Sequence, residues 1–265
     1  MEKTDELLKL LIADSEQYKE IAIPASETER KNLIRGLMNI RMPWELSDEL
    51  ANLQDSYLQD ELNTKGIVSL SDIPTIKEQS KISLWQGDIT RLKVGAIVNA
   101  ANSQMLGCFV PCHRCIDNAI HSAAGLQLRN ECNHIMGKRR IQYGKSYEEP
   151  TGTATLTKAY NLPCDYVIHT VGPIVYGRLN DALCQDLRNC YETVLQCCVD
   201  NNIKSVAFCC ISTGEFHFPN DRAAKIACDT VASFLKSHGS CMERIIFNVF
   251  KDSDRKIYEA VLGTA

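Results

Sequence analysis

The spacing of hydrophobic residues divides the chain into two parts with different predicted structures. In residues 1–75, apolar residues recur at intervals of three and four, for example along 6–11 and 33–38, which predicts helices. Pro and Gly residues separate these segments, and Ser47 stands where a helix N-cap is expected. We therefore expect residues 1–75 to form a helical N-terminal extension that packs on the rest of the chain, in preference to an independent functional domain.

From about residue 81 the pattern changes to short apolar runs that alternate with longer amphipathic segments. The predicted strands are 82–85, 96–100, 153–159, 166–171, 205–210 and 244–249, and the predicted helices are 117–135, 183–201, 221–237 and 252–262. This alternation predicts an α/β domain over residues 76–265, with a parallel or mixed sheet and helices on both faces. Ligands of such sheets bind beyond the carboxyl ends of the strands, so the loops at those ends are the candidates for functional residues.

Composition and charge narrow the class of ligand. Hydrophobic residues make up 45% of the chain and charged residues 23%, as in ordinary globular proteins. The formal net charge of −4 is unevenly distributed, because residues 1–80 carry 16 acidic and 9 basic side chains whereas the remainder carries 17 and 20. The mildly basic second part suits an anionic small ligand. It lacks the concentrated Lys/Arg patch of a nucleic-acid-binding surface, so we expect no nucleic-acid partner.

The hydropathy, the N-terminal residues and the cysteine content together predict a cytoplasmic protein. The sequence has no run of about 18 apolar residues, which a membrane-spanning helix requires, so we expect no membrane partner. Its acidic N-terminus does not resemble a signal peptide. Thirteen cysteines in such a chain predict reduced thiols rather than a disulfide framework.

Two polar turns follow the first two predicted strands. In the segment 87–90, the carboxylate of Asp88 can accept a hydrogen bond from an exocyclic amine while neighbouring backbone amides meet ring nitrogens, but for this tetrapeptide alone a plain turn with a helix cap is the favoured interpretation. After the second strand, Asn99 and Asn102 bracket two alanines, so that amide side chains stand where the backbone can approach a ligand closely.

The loop that precedes the first helix of the α/β part contains a candidate metal site. His113 and Cys115 point to one side of an extended segment, and Cys108 can fold back onto that side. Thiolates and imidazole are ligands that zinc prefers, and three protein ligands leave one position open, as in catalytic sites. Cys112 faces the opposite way, but a chelate of Cys112 with Cys115 and a loop of unligated thiols stay open as alternatives. Asp117 then opens the helix, either as a cap or as a carboxylate beside the metal.

A third polar turn follows the fifth predicted strand. Its residues 212–214 (Ser-Thr-Gly) present hydroxyls and backbone amides to an anion, and Phe216 and Phe218 could stack against a ribose or close the pocket. The glycine-rich motifs of dinucleotide- and triphosphate-binding loops do not follow any predicted strand. We expect four further histidines to be structural or to lie on the surface: His121, His134, His169 and His238.

The order of these segments closely resembles the macrodomain family. The resemblance rests on residues 84–90, 96–102, 167–173 and 211–214 and covers about residues 80–262. It implies a three-layer α/β/α macrodomain with a central mixed sheet, preceded by the helical extension. It also implies binding of ADP-ribose, with contacts from Asp88, Ile89, Asn99, Asn102, Cys115, Ile116, Asp117, Ser212, Thr213, Gly214, Glu215 and Phe216.

Within that family the chain is similar to the zinc-containing microbial branch, which also carries an N-terminal extension. The similarity implies a zinc cofactor on Cys108, His113 and Cys115, with Asp117 and Asn102 as catalytic residues. It further implies hydrolysis of mono-ADP-ribose from protein side chains, in a branch associated with sirtuin-type ADP-ribosyltransferases and a lipoyl-carrier protein. Two alternatives share the same binding motifs: a non-catalytic ADP-ribose-binding module and an O-acetyl-ADP-ribose deacetylase.

Overall fold

Three helices form the N-terminal part, as the periodicity predicts. The computed structural model describes residues 2–77 and 79–264. The helices are α1 (Glu2–Ala13), α2 (Glu27–Ile40) and α3 (Asp48–Lys65). The hydroxyl of Ser47 caps α3 by accepting a hydrogen bond from the Leu50 amide at 3.2 Å. Apolar side chains such as Leu7 and Ile34 are buried in one cluster that also contains Leu126 from the second part of the chain, so the extension packs on the rest of the molecule.

The second part is built on a mixed sheet. The strands in chain order are β1 (Val68–Ser69), β2 (Ile82–Gln86), β3 (Leu92–Lys93), β4 (Ala96–Ala101), β5 (Ala154–Lys158), β6 (Tyr166–Val171), β7 (Ser205–Phe208) and β8 (Arg244–Val249). Strand β1, which still belongs to the predicted extension, pairs with β3 in a separate short ladder. Within the described residues the six-stranded sheet has the order β2-β8-β7-β4-β6-β5. All neighbours are parallel except β5, which runs antiparallel to β6.

Helices on both faces of this sheet complete the three-layer α/β/α arrangement that the resemblance implies. They are α4 (Ile116–Ala124), α5 (Leu126–Tyr143), α6 (Asp181–Asp200), α7 (Asn220–His238) and α8 (Asp252–Leu262). None of the helices in the described part of the chain is both long and apolar enough to cross a membrane.

The prediction of one helix over 117–135 is wrong. The helix is divided at Gly125, which has φ +99°, a backbone angle that side-chain-bearing residues rarely adopt. The second segment, α5, then continues beyond the predicted end to Tyr143. The sequence pattern hides this break because apolar spacing continues across it.

Strands β2, β8, β7, β4 and β6 run parallel, so their carboxyl ends lie at the same edge of the sheet. The middle residues of β8, β7, β4 and β6 are buried. Val98, Val206 and Ile246, on three neighbouring strands, have no exposed surface. Ile73 and Ile76 already belong to this main cluster. The division at residue 75 therefore stays a prediction, since the connection to the extension is itself packed into the core. The predicted site residues lie in the segments after β2, β4 and β7, apart from Asn99, which lies within β4.

Candidate active site

Asp117 lies at the centre of the site, where the end of β4 meets the start of α4. Its side chain is 5% exposed. Asn99 donates a hydrogen bond from Nδ2 to Asp117 Oδ1 at 2.8 Å, and Asn102 donates from Nδ2 to Oδ2 at 3.3 Å. The polar strand end and the helix-opening carboxylate, which are separate in the sequence, thus form one contact group. The amides fix the position of both carboxylate oxygens.

Burial raises the pKa of Asp117 to about 6. The hydrogen bond from Asn99 and the positive charge of Arg129 lower the pKa but do not offset the burial. Arg129 itself donates from Nε to the Leu106 carbonyl at 2.7 Å and from Nη1 to the Met38 carbonyl at 3.0 Å. A perturbed carboxyl group near an open loop is typical of a functional site.

Two buried histidines lie beneath Asp117, and sequence reasoning did not connect them with it. His121 Nε2 is 3.5 Å from Asp117 Oδ1, one helical turn away. His169 Nδ1 accepts from Asn99 Nδ2 at 3.1 Å, and its Nε2 is 2.9 Å from the Thr157 hydroxyl. Burial lowers the pKa of His169 to about 3, so the imidazole is neutral. The spacing of four between Asp117 and His121 on a predicted helix was the available signal.

The buried pair also approaches a cysteine. One side-chain ligand atom from each of His121, Cys132 and His169 lies within 4.8 Å of the others. Both His169 nitrogens already face polar partners, Asn99 and Thr157, so the imidazole is held by protein groups. His169 therefore helps to position Asn99, which in turn donates a hydrogen bond to Asp117.

Cys108, His113 and Cys115, in the loop that leads into α4, converge as their spacing predicts. Their ligand atoms lie within 4.8 Å of one another, with Cys108 Sγ 3.6 Å from His113 Nδ1. Cys112 lies apart from them: its Sγ donates to the Asn32 carbonyl of α2 at 3.3 Å. Cys115 also caps α4, because its sulfur accepts from the Asn118 amide at 3.4 Å.

The electrostatics of this cysteine group depend on its burial. Burial, and then the nearby Cys108 and Asp117 charges, raise the pKa of the Cys115 thiol to about 12. A bound divalent cation reverses such a shift, because it favours the thiolate. On the far side of the imidazole, His113 Nε2 is 3.6 Å from Glu215 Oε1. The Nδ1 atom thus faces the thiols while Nε2 faces a carboxylate.

Asp88 lies at the other end of the site, after β2. Its Oδ1 accepts from the Thr90 amide at 3.0 Å and from the Thr90 hydroxyl at 2.6 Å, so the capping role that the sequence left open is present. Lys65 Nζ of α3 lies 3.8 Å from Asp88 Oδ2. A cavity of about 260 Å³ between the extension and α4 includes both side chains in its wall, together with Tyr57 and Ser122. Ile89, beside Asp88, is 2% exposed and anchors the turn in the core.

The turn after β7 has the backbone form of an anion-binding loop. Ser212 has φ +64°, an uncommon conformation that recurs at functional sites. Gly172 allows this turn, since a Cβ there would lie 2.0 Å from Ser212 Oγ. The amide and the hydroxyl of Thr213 both donate hydrogen bonds to the Cys210 carbonyl. Within the described residues, the amides of Gly214, Glu215 and Phe216 donate to no backbone carbonyl, which leaves them for a ligand.

The aromatic residues differ from the expectation. Phe218 is 1% exposed and belongs to the main core, so the prediction that it stacks on a ribose is wrong. Phe216 is half-buried and its carbonyl accepts from the Val175 amide at 2.9 Å. Sequence reasoning missed Phe250, which is 74% exposed just after β8, next to Val249, whose carbonyl accepts from the Gly87 amide. A lone aromatic residue after the last strand was the only signal for it.

Known proteins resemble this chain in both sequence and structure. A family model described as Macro domain matches residues 98–227. A protein-ADP-ribose hydrolase of Treponema medium is 46% identical over 259 residues, which is 97% of this chain and 97% of that protein. A protein-ADP-ribose hydrolase of Staphylococcus aureus is 45% identical over 240 residues, covering 90% and 87% respectively. The Trypanosoma brucei macrodomain in complex with ADP-ribose superimposes with a TM-score of 0.65 at 29% identity, over 91% of this chain and 97% of that one.

Proposed function

The chain belongs to the macro domain family, and from that premise we propose that it hydrolyses the bond between mono-ADP-ribose and a modified protein side chain, with zinc as cofactor. One observation carries the proposal. A buried carboxylate, Asp117, is fixed by two amides in the first turn of the helix that Cys115 caps, and Cys115 belongs to a group of two thiols and an imidazole. Binding of ADP-ribose alone would not require that group. The names of the relatives from Treponema and Staphylococcus support the same activity.

The loops at the strand ends suit the two ends of ADP-ribose. Asp88 Oδ2 would accept from the adenine amine, and exposed Phe250 would offer a ring for stacking. The free amides of residues 214–216 would bind the diphosphate. The distal ribose would then lie against Asn102, Asp117 and the start of α4, formed by Cys115 and Ile116.

The reaction requires a water molecule, a proton acceptor and an exit for the protein side chain. The water oxygen bonds to the anomeric carbon of the distal ribose while the bond from that carbon to the side chain breaks. Asp117 would accept the proton of the water, and the departing side chain takes up a proton, so that free ADP-ribose and the unmodified protein result. Asn102 would hold the carboxylate and the ribose in register.

The cysteine loop fits zinc in its donor set and in its surroundings. The donors are two sulfurs and one imidazole nitrogen, and Glu215 lies behind the imidazole, where outer carboxylates commonly orient metal-binding histidines. Zinc held there would supply Lewis acidity beside the scissile bond. We assign the holding role to Cys108, His113 and Cys115.

The proposal extends to the substrate and to the compartment. We propose as substrate a protein modified by a sirtuin-type transferase, such as a lipoyl-carrier protein, in line with the branch that the cysteine loop resembles. A cytoplasmic location fits the thirteen cysteines, all of which are free thiols within the described part of the chain.

Metal analysis with turnover assays tests the proposal. The purified protein is expected to contain about one equivalent of zinc and to release ADP-ribose from a mono-ADP-ribosylated protein, with activity lost to a chelator and restored by zinc. Full turnover by metal-free protein would overturn the zinc assignment. Binding of ADP-ribose without any turnover would indicate a reader, and turnover of O-acetyl-ADP-ribose alone would indicate a deacetylase.

A matched pair of cysteine variants sharpens this test. Cys108→Ala should lose zinc and turnover, whereas Cys112→Ala should keep both, because Cys112 Sγ faces the Asn32 carbonyl of α2. Both variants should stay folded, since a core of this size does not depend on one metal. Loss of zinc from Cys112→Ala would show a differently built site.

A further inference from the structure

Helix α2 of the extension lies directly against the cysteine loop, and Arg35 makes the principal contact. Arg35 donates from Nε and Nη2 to Asn118 Oδ1, at 3.2 and 2.7 Å. Its Nη2 also donates to the His113 carbonyl at 3.0 Å. One guanidinium thus bonds both the backbone of a proposed zinc ligand and a side chain at the start of α4.

Asn118 transmits this contact to the other half of the loop. It has no exposed surface. Its Nδ2 donates to the Val110 carbonyl at 3.0 Å and to the Cys108 carbonyl at 3.4 Å. Arg35 holds Oδ1, so it also fixes which way the Nδ2 group points. The backbone positions of Cys108 and His113 are therefore linked through a single pair of side chains.

A second set of bonds joins the same helix to the middle of the loop. Asn39 Oδ1 accepts from the Cys112 amide at 2.9 Å, and Asn39 Nδ2 donates to the Ser122 hydroxyl at 2.8 Å. Gly36, next to Arg35 on α2, also faces the loop, since a Cβ there would make ordinary van der Waals contact with Pro111 Cβ at 3.7 Å and with Cys112 Sγ at 3.9 Å. The loop contains no regular element of its own, so its shape depends on these bonds.

We infer that α2 is the positioning element of the zinc loop and that Arg35 is its main positioning residue. The inference rests on the proposed zinc site. Three ligands from one irregular loop bind a metal tightly only if the loop is ordered beforehand, because binding must otherwise supply the free energy of ordering it. The bonds from Arg35 and Asn39 provide that order. The extension thereby acquires a role in metal retention beyond covering apolar surface.

Zinc affinity of Arg35→Met in the full chain tests the inference. Competition with a chromophoric chelator should show zinc bound about 10- to 100-fold more weakly than by wild type, the effect typical of removing an outer-shell partner. Affinity for ADP-ribose should fall far less than zinc affinity, because Arg35 makes its hydrogen bonds to His113 and Asn118 and none to the Asp88 turn. Arg35→Lys keeps the positive charge but loses the branched guanidinium, so its zinc affinity should lie between those of wild type and Arg35→Met. It replaces the Met variant in the test if Arg35→Met does not fold.

Arg30→Met is the matched control on the same helix. Arg30 donates to the Pro24 carbonyl at 2.6 Å and pairs with Asp5 at 3.0 Å, both within the extension. It should lower stability without changing zinc affinity. Equal weakening in Arg30→Met and Arg35→Met, or full zinc affinity in Arg35→Met, would overturn the inference while the proposed function stands. Wild-type protein that binds no zinc would overturn both.

Discussion

Asn99 and Asn102 fix the carboxylate of Asp117 in the position that the proposed reaction needs. Replacing Asp117 should therefore affect turnover more than ADP-ribose binding. Asp117→Ala should lower kcat by roughly 10²- to 10⁴-fold, the usual contribution of a positioned acid or base. The Kd for ADP-ribose should rise far less, since Asp117 would contact only the distal ribose and the adenine and diphosphate contacts stay in place. Single-turnover kinetics and calorimetry measure the two quantities. Parallel losses in both would assign Asp117 to ribose positioning alone.

Asp88 has two functions that one substitution can separate. Asp88→Asn can still accept from the Thr90 amide through its carbonyl oxygen, so the turn should stay intact. The second oxygen becomes an amide nitrogen and cannot accept from adenine. We expect a loss of ADP-ribose affinity of roughly 1.5–3 kcal/mol, the range for a hydrogen bond to a charged group, by calorimetry. Unchanged affinity together with unchanged melting temperature would remove Asp88 from the adenine site.

Site residues that are close together in the sequence can be grouped from the sequence alone. Cys108, His113 and Cys115 lie within eight positions, so alternation along one segment is enough to group them. The contact of Asn99 with His169 spans 70 positions and depends on the register of β4 and β6. Such a contact follows from the paired strands and not from either strand alone. The buried network beneath Asp117 therefore required the structure.

The elements of the sheet are predictable because each strand carries its own apolar run, whereas the break between α4 and α5 is not. Gly125 lies at the contact with the extension, where Gln54 Oε1 accepts from the Leu126 amide at 2.8 Å. A Cβ at position 125 would lie 2.7 Å from Gln54 Nε2. The backbone conformation at Gly125 thus depends on a contact with Gln54 of α3. The spacing of residues within 117–135 carries no information about that contact.

Two glycines of this region should respond to alanine in opposite directions. Gly125→Ala should destabilise the protein by at least about 1 kcal/mol, because its φ is positive and Gln54 must move. Gly137→Ala, inside α5 with open space around it, should stabilise by about 0.5–1 kcal/mol. Urea denaturation measures both. Equal effects would mean that the bend at Gly125 is relaxed and not imposed by the contact.

At the scale of the whole molecule, the buried histidines couple stability to pH. His169 is neutral in the fold, with its pKa lowered by burial to about 3 from an ordinary value of 6.5. Above pH 6.5 neither the folded nor the unfolded chain protonates it. Below that pH the unfolded chain binds a proton that the fold excludes, so the free energy of unfolding falls by about 1.4 kcal/mol per pH unit down to about pH 3.

Replacing His169 isolates this contribution. His169→Gln should make the free energy of unfolding less steep in pH between about 6 and 4, whatever its effect on stability at pH 7. Exposed His134→Gln is the control and should leave the slope unchanged. Urea titrations across this pH range measure the slopes. Identical slopes in wild type and His169→Gln would show that His169 is protonated in the folded protein.

The bonds from Arg35 to Asn118 join positions 83 residues apart, one in the extension and one in the second part of the chain. A change at either position removes hydrogen bonds from a polar group that stays away from solvent, buried Asn118 or half-buried Arg35, which costs more than changing both. Substitutions at the two positions should therefore be correlated across related sequences. Relatives in which another loop replaces the cysteines are released from this constraint, and their first three helices can diverge or be lost. Among related sequences, the three N-terminal helices should thus be kept where the cysteine loop is kept and should change where it is replaced.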